Sequence, residues 1–245
     1  MKEKLVMFVV SHKDINPSVY LGRKVIRVGN YEKKYVLDNL IYDNDKSKDN
    51  ISDKNPYYCE LTALYWVWKN YHNVEYVGFE HYRRLFYRNF FKIASVDYLY
   101  KKALKYDVIH KPNWWHFSSI KNVMIHDHGK KSYSILEDAI KKLFPEYVAS
   151  FNKVMKSHHC KYCNTIIMRK TLFDKYMEFM FNILFECEKH ISEMDKKNQN
   201  RSIGYLSERL LDVFIDYNHL THKSNYLKFT SLYKKSEFLP KKFTI

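Results

Sequence analysis

The residues best suited to chemistry lie at the end of one apolar segment. Residues 74–79 (VEYVGF) lead directly into Glu80-His81-Tyr82-Arg83-Arg84. In an open α/β sheet, ligands bind at the carboxyl ends of the strands. Because a guanidinium fork matches phosphate oxygens in bidentate geometry, His81, Arg83 and Arg84 are suited to a nucleotide diphosphate. An ordinary basic loop after a strand is the competing interpretation, and this segment alone favours it.

A second candidate group is the carboxylate of Glu208. Residues 204–217 predict a helix whose apolar residues recur every four positions, and Glu208 falls on a different face, next to Arg209. A carboxylate near the first turn of a helix can be oriented as a general base. The alternative is a surface glutamate paired with its neighbour, and it is favoured without further information.

Two patterns contain metal-ligand residue types but predict no metal site. Residues 158–163 read HHCKYC, yet a closed zinc site usually takes two separate ligand pairs, and Cys163 begins a predicted strand. The D-x-D at 43–45 lies in a charge-rich segment, 43–56, which predicts a solvated loop. With five glycines and no G-x-G-x-x-G or P-loop, phosphate binding by a glycine-rich loop is also disfavoured.

The elements that must position these residues alternate between strand and helix. Leu5–Val10 is a continuous apolar run ending in polar residues, which predicts a strand buried on both faces. Asn55 is suited to an N-cap and Pro56 to the first helical position. Further strands are predicted at 74–79, 107–110 and 163–169, and helices at 57–70, 95–105, 134–155 with a break at Pro145, 171–190 and 204–217. This order predicts an α/β fold with a mostly parallel sheet.

Composition excludes several classes of protein. The 245 residues are 17% aromatic and include five glycines and five prolines, which argues against a disordered or linker-rich chain. No apolar run approaches the roughly 20 residues that span a bilayer, and no signal-peptide pattern is present. Four cysteines in a chain of this length do not indicate a disulfide framework, so we expect a cytoplasmic protein with reduced thiols.

The net charge of +15 is the least specific feature. It suits nucleic acid, an anionic membrane surface or a phosphorylated substrate, and it can also reflect the base composition of the genome. Basic residues are scattered through all segments rather than forming one stripe, which disfavours nucleic-acid binding.

Taken together, these segments resemble a bacterial family found in capsular and exopolysaccharide biosynthesis clusters and regarded as glycosyltransferases. The block at 49–70 and the HYRR at 81–84 are the most specific parts. The matching stretches are 8–14, 28–30, 49–70, 76–86, 106–112, 136–147, 164–189 and 203–214.

The resemblance implies a GT-A-like, Rossmann-related single domain over residues 1–245. Residues 1–112 would bind the nucleotide sugar, and residues 113–245 would bind the acceptor and hold the catalytic group. The expected reaction is an inverting transfer of a hexose, with galactose favoured, from a UDP-sugar to a saccharide or a polyprenyl-diphosphate-linked saccharide. The expected location is the cytoplasm, peripheral at the anionic inner face of the cell membrane.

The resemblance also assigns roles to residues. Glu208 occupies the place of the catalytic base. The segment Glu80–Arg84 stands where GT-A enzymes carry a metal-binding D-x-D, so we expect His81, Arg83 and Arg84 to neutralise the leaving diphosphate; Mn²⁺ or Mg²⁺ is compatible with this interpretation but not required. The expected substrate-binding residues are Val10, Ser11, His12, Asn55, Glu60, Tyr65, Glu80 and Asn164.

Two alternatives remain open at this stage. One is a basic, aromatic-rich protein that binds nucleic acid through phosphate contacts and base stacking. The other is a non-catalytic accessory protein of a polysaccharide assembly complex.

Overall fold

The computed structural model describes residues 2–29 and 37–230. Within them, nine strands form one mixed sheet and two short strands form a separate ladder. The strands are β1 Glu3–Ser11, β2 Arg23–Arg27, β3 Leu40–Tyr42, β4 Val74–His81, β5 Arg84–Phe86, β6 Val108–His110, β7 Trp114–Trp115, β8 His159–Cys160, β9 Ile166–Arg169, β10 His222–Ser224 and β11 Leu227–Phe229.

The main path of the sheet runs in the order β10-β6-β9-β4-β1-β2-β3. Strands β3, β2, β1 and β4 are mutually parallel, and β10 is parallel to β6. Only β9 on this path is antiparallel to its neighbours, β4 and β6, so β6 runs in the same direction as β4. The predicted α/β fold with a mostly parallel sheet is confirmed, and the carboxyl ends of β1, β2, β4 and β6 share one edge.

Helices cover both faces of the sheet. They are α1 Asn55–Tyr58, α2 Leu61–Asn70, α3 Val96–Ala103, α4 Ile120–His128, α5 Lys130–Leu143, α6 Val148–Lys156, α7 Lys170–Glu188, α8 Lys196–Gln199, α9 Ser202–Ser207 and α10 Leu210–Tyr217. None of the helices in the described ranges is both long and apolar enough to cross a bilayer.

Strand alternation sends the buried residues of β1 to opposite faces of the sheet, where they join different clusters. Val6 and Phe8 join the larger cluster, which includes residues of α2 and α7, whereas Leu5 and Met7 join a smaller one that includes Leu99 of α3. The continuous apolar run in the sequence is therefore explained by burial on both faces.

Gly78 leaves room for the side chain of Met7 on the neighbouring strand. A Cβ placed there would overlap the Met7 Sδ, and the ladder pairs these two residues directly. Any larger residue at this position would therefore have to displace the Met7 side chain.

Three predicted elements are interrupted where the site forms. The predicted helix 57–70 breaks at Cys59, whose φ is 52°. Asn55 is not the N-cap but a residue of α1, and its side-chain amide donates to the Cys59 carbonyl at 2.8 Å. The helix predicted over 204–217 ends at Ser207 and resumes at Leu210. The strand predicted from Cys163 begins at Ile166.

Candidate active site

A cleft of about 460 Å³ opens at the carboxyl edge of the sheet. Strands β1 and β4 supply one wall, because Val10 is paired with His81 at their carboxyl ends. The interruptions at Cys59, Cys163 and Glu208 supply the opposite wall. The lining residues are Val10, His12, Val28, Asn55, Pro56, Cys59, Glu60, His81, Tyr82, Arg83, Arg84, Cys163, Asn200, Arg201 and Glu208.

The turn between β4 and β5 concentrates positive charge in the cleft. His81 pairs with Arg84 across the turn, and Arg83 lies at its tip with its guanidinium carbon 5.2 Å from the Tyr82 ring centre. The His81 Nε2 lies 2.9 Å from the Cys163 carbonyl oxygen, so this nitrogen donates and the tautomer is fixed. Two arginines are thus presented on a short hairpin at the point where parallel strands end.

The cations of this wall act on His12. Burial lowers the pKa of His12, and the nearby cations Arg27, Arg83, Lys13 and Arg201 lower it further. Arg201 lines the cleft beside Cys59, and its Nε lies 3.3 Å from the Cys59 Sγ. The cleft is therefore electropositive on two sides, which suits a polyphosphate.

The carboxylate of Glu208 faces this positive wall from the gap between α9 and α10. Its Oε1 accepts a hydrogen bond from the Cys163 amide at 3.0 Å, and its Oε2 lies 3.1 Å from Arg209. Burial raises the pKa of Glu208 above its ordinary value. The Arg209 guanidinium lowers this pKa, and the negative charge of Glu60 raises it. A base whose pKa is raised toward neutrality, while its side chain stays 16% exposed, is suited to accept a proton from a bound hydroxyl.

Asn164 anchors the carboxylate of Glu60. Its side-chain amide donates to the Glu60 Oε1 at 3.0 Å and to the Ser207 Oγ at 2.9 Å. Cys163 before it, with a φ of 75°, turns its amide to Glu208. Asn164 lies behind the cleft wall rather than on it, and it holds Glu60 in place beside Glu208.

Left-handed backbone conformations cluster at this site. Of the five non-glycine residues with positive φ among the described ones, Cys59, Cys163 and Arg201 line the cleft and Asn164 lies directly behind it. Such conformations cost of order 1–3 kcal/mol each and persist where the surrounding structure enforces them. Their concentration here is independent support for the cleft as the candidate functional site.

A family profile described as a domain of unknown function, DUF4422, matches residues 6–219. The chain belongs to the DUF4422 family. No curated protein matches the chain. Among solved structures, it is similar to the apo structure of the WbbM bifunctional glycosyltransferase, with 26% identity and a TM-score of 0.78 over 94% of this chain.

The match covers only part of the WbbM chain. This DUF4422 chain aligns with 46% of the WbbM chain, so it spans less than half of that protein. The likeness confirms that the mixed α/β domain has the fold of part of a solved glycosyltransferase.

The structure brings together eight of the residues selected from the sequence. Each of them lines the same cleft, although they come from four separate stretches of chain. These residues are Val10, His12, Asn55, Glu60, His81, Arg83, Arg84 and Glu208.

Three other selected residues lie outside the cleft. The Ser11 hydroxyl donates to the Lys13 carbonyl at 2.8 Å and shapes the turn after β1. The Tyr65 hydroxyl bonds to Asp49 at 3.1 Å. Glu80 is fully buried and bonded to Arg23, because successive strand residues point to opposite faces and His81 is the one that faces the cleft.

The structure adds cleft residues that sequence reasoning missed, above all Arg201, Cys59 and Cys163. Arg201 does not follow a strand, so its sequence position does not predict that it lies in the cleft. The tertiary fold brings it there, where its amide donates to the Pro56 carbonyl at 3.0 Å. The one local signal is the positive charge of an Asn-Arg pair just before the helix at Ser202. The two cysteines give no such signal, since their role depends on positive φ.

The D-x-D segment differs from its prediction. Asp43 is not solvated but fully buried directly after β3, where it accepts a hydrogen bond from the Gly29 amide at 3.1 Å. Burial raises the pKa of Asp43 to about 7. The solvated-loop interpretation fails here because Asp43 lies at a strand end of the parallel sheet. Among residues 2–29 and 37–230, no group of three or more His, Cys, Asp or Glu side chains is arranged to hold a metal ion.

Proposed function

We propose that this chain is a glycosyltransferase that moves a hexose, with galactose favoured, from a UDP-sugar to a saccharide acceptor. One observation carries the proposal: the half-buried carboxylate of Glu208 lines the same cleft as Arg83 and Arg84. The likeness of 94% of the chain to part of a solved bifunctional glycosyltransferase supports it.

In the proposed reaction, a hydroxyl oxygen of the acceptor attacks the anomeric carbon of the donor. The bond from that carbon to the diphosphate breaks, its electron pair leaves with UDP, and the hydroxyl proton passes to Glu208. Attack from the side opposite the diphosphate inverts the anomeric centre. Glu60 and Asn55 would contact the sugar, while Asn164 orients Glu60.

The diphosphate would lie against His81, Arg83 and Arg84, with Arg201 as a fourth positively charged or donor group. Charge develops on the leaving oxygen as the bond breaks, and fixed cations in a water-poor site stabilise it without reorganisation. The cations at the end of β4 do not fit a divalent metal at the same place, so a bound Mn²⁺ or Mg²⁺ is not required. Val10 and His12 would contact the nucleoside.

The acceptor we propose is a saccharide carried on a polyprenyl diphosphate, in capsular or exopolysaccharide synthesis. Such an acceptor would bring the enzyme to the cytoplasmic face of the membrane. A positively charged cleft edge also suits an anionic lipid-linked substrate.

A thermal-shift experiment tests donor binding. We expect UDP and UDP-galactose to stabilise the protein more than uridine, with or without Mn²⁺, because the diphosphate makes the charged contacts. Arg83→Gln should remove most of the advantage of UDP over uridine. The matched control is Arg169→Gln, since Arg169 is 53% exposed and pairs with Glu75 outside the cleft. Equal stabilisation by UDP and uridine in the unmodified protein would contradict the diphosphate site.

A further inference from the structure

A short hairpin beside the cleft presents two phenylalanines to solvent. Tyr87 and Ile93 pair at its base, and the Arg88 amide donates to the Lys92 carbonyl at 2.8 Å. The Asn89 side chain closes the turn by accepting from the amides of residues 91 and 92, at 3.1 and 2.9 Å. The tip is therefore a well-bonded turn and not a loose loop.

The exposure of the tip is large for aromatic side chains. Phe91 is 88% exposed and Phe90 is 58% exposed, with their ring centres 5.1 Å apart. Phe229 on β11 is 63% exposed, and Tyr226 stacks on Phe90 at 6.3 Å. We call Phe90, Phe91, Tyr226 and Phe229 the aromatic tip. Clustered exposed aromatics on a soluble domain mark an interaction surface, whereas single ones need no explanation.

Cations surround the aromatic tip. The Lys228 Nζ lies 4.0 Å from the Phe90 ring centre, and Arg88 and Lys92 flank the turn. The two segments that build the surface, 83–92 and 222–230, contain six lysines and arginines and no Asp or Glu: Arg83, Arg84, Arg88, Lys92, Lys223 and Lys228. Exposed Phe with surrounding Lys and Arg is the composition of surfaces that lie in the headgroup region of an anionic bilayer.

The aromatic tip is continuous with the opening of the cleft. The Arg84 guanidinium carbon lies 4.7 Å from the Phe229 ring centre, and the Thr230 amide donates to the Arg83 carbonyl at 2.9 Å. A second exposed aromatic group, Trp114, Trp115 and Phe117, borders a groove that Asp127 lines, so it lacks this uniform positive charge.

We infer that the aromatic tip docks this protein on an anionic lipid bilayer, with the rings of Phe90, Phe91 and Phe229 among the acyl chains and Lys92 and Lys228 at the headgroups. The inference goes beyond the proposed sugar transfer. It can be tested without substrate, so its failure would leave the proposed chemistry untouched, and the reverse also holds.

Vesicle sedimentation tests the inference on the full chain. The probes are vesicles of phosphatidylcholine alone and vesicles with about a third of phosphatidylglycerol. We expect binding only to the anionic vesicles, with affinity falling at least tenfold in Phe90→Ser/Phe91→Ser and in Lys92→Glu/Lys228→Glu. The matched control is Leu104→Ser, an exposed apolar residue just beyond the far end of α3, which should bind normally.

A second measurement distinguishes insertion of the aromatic rings into the bilayer from purely electrostatic binding to its surface. In Phe91→Trp, the additional fluorescence should be quenched by brominated phosphatidylglycerol, while binding stays normal. Unchanged vesicle binding in the two double variants would overturn the inference, as would absence of quenching. Equal binding to both kinds of vesicle, or a preference for single-stranded nucleic acid that the same variants abolish, would also overturn it. Thermal stabilisation by UDP should be unchanged in all these variants.

Discussion

Two glutamate–arginine pairs lie at the carboxyl edge of the sheet, and they differ in what else reaches the carboxylate. Glu80 is fully buried and bonded to Arg23 at 2.5 Å and to the Phe86 amide at 2.6 Å. Glu208 has one bond to Arg209 and one to the Cys163 amide, and its side chain opens to the cleft. The same residue types therefore make a fully buried pair in one case and, in the other, a pair whose carboxylate is open to the cleft, as the proposed base must be.

The difference follows from where the backbone places each carboxylate. Glu80 lies within a regular strand, where a second strand, β2, can bring Arg23 directly to it across β1. Glu208 lies between two helices and beside Cys163, which has a positive φ, and its side chain stays partly exposed to the cleft. The regular strand lets hydrogen-bond donors surround the Glu80 carboxylate. The interruption between α9 and α10 leaves the Glu208 carboxylate open to the cleft.

The largest expected effect is on turnover by Glu208→Gln. The amide keeps the size of the side chain and one of its two acceptor oxygens but cannot accept the proton, so kcat for sugar transfer should fall by about 10²–10⁴-fold. Binding of UDP, measured by thermal shift, should be retained. Near-normal turnover in this variant would remove Glu208 from the mechanism.

The next effect is on stability and concerns the other pair. Glu80→Gln leaves the buried guanidinium of Arg23 without a counter-charge, which we expect to lower the free energy of unfolding by about 3–5 kcal/mol. Urea unfolding measures this directly. The double variant Glu80→Gln/Arg23→Met should recover much of the loss, because it removes the uncompensated charge. If Glu80→Gln instead weakens UDP binding without destabilising the fold, the pair belongs to the site.

The two walls of the cleft differ in how well the sequence predicts them. The wall formed by His81, Arg83 and Arg84 was predictable, because an apolar run followed by polar residues identifies the end of a buried strand. The same alternation of faces separates Glu80 from His81, so the position of Glu80 could be inferred from the strand period.

The opposite wall could not be predicted in the same way. It depends on non-glycine residues with positive φ at Cys59, Cys163 and Arg201, and local propensity disfavours that conformation. It also joins segments that are distant in the chain, as where Asn164 meets Glu60. Helical periodicity across Glu208 therefore predicted a continuous helix where the fold inserts a break.

A smaller effect concerns how the stability of the fold depends on pH through Glu208. The pKa of Glu208 is raised in the folded state, so the unfolded chain loses its proton first and folding stability falls as pH rises above the ordinary glutamate pKa. Glu208→Gln removes this pH dependence, although it also takes the carboxylate partner from the buried Arg209 guanidinium. Relative to the unmodified protein, the variant should therefore gain stability between pH 4 and pH 7, as urea unfolding across that range would measure. A stability difference that is the same at both pH values would contradict the raised pKa of Glu208.

The smallest effect concerns Glu60, whose charge distinguishes the surroundings of Glu208 from those of Glu80. Glu60→Gln removes a negative charge that raises the pKa of Glu208 while leaving an amide oxygen for Asn164. The acidic limb of kcat against pH reports the base in the enzyme–substrate complex, so it should move to lower pH in this variant. Glu75→Gln, which changes a carboxylate outside the cleft, should leave the limb in place. An unmoved limb in Glu60→Gln would mean that the catalytic base does not experience the charge of Glu60, which would argue against Glu208 as that base.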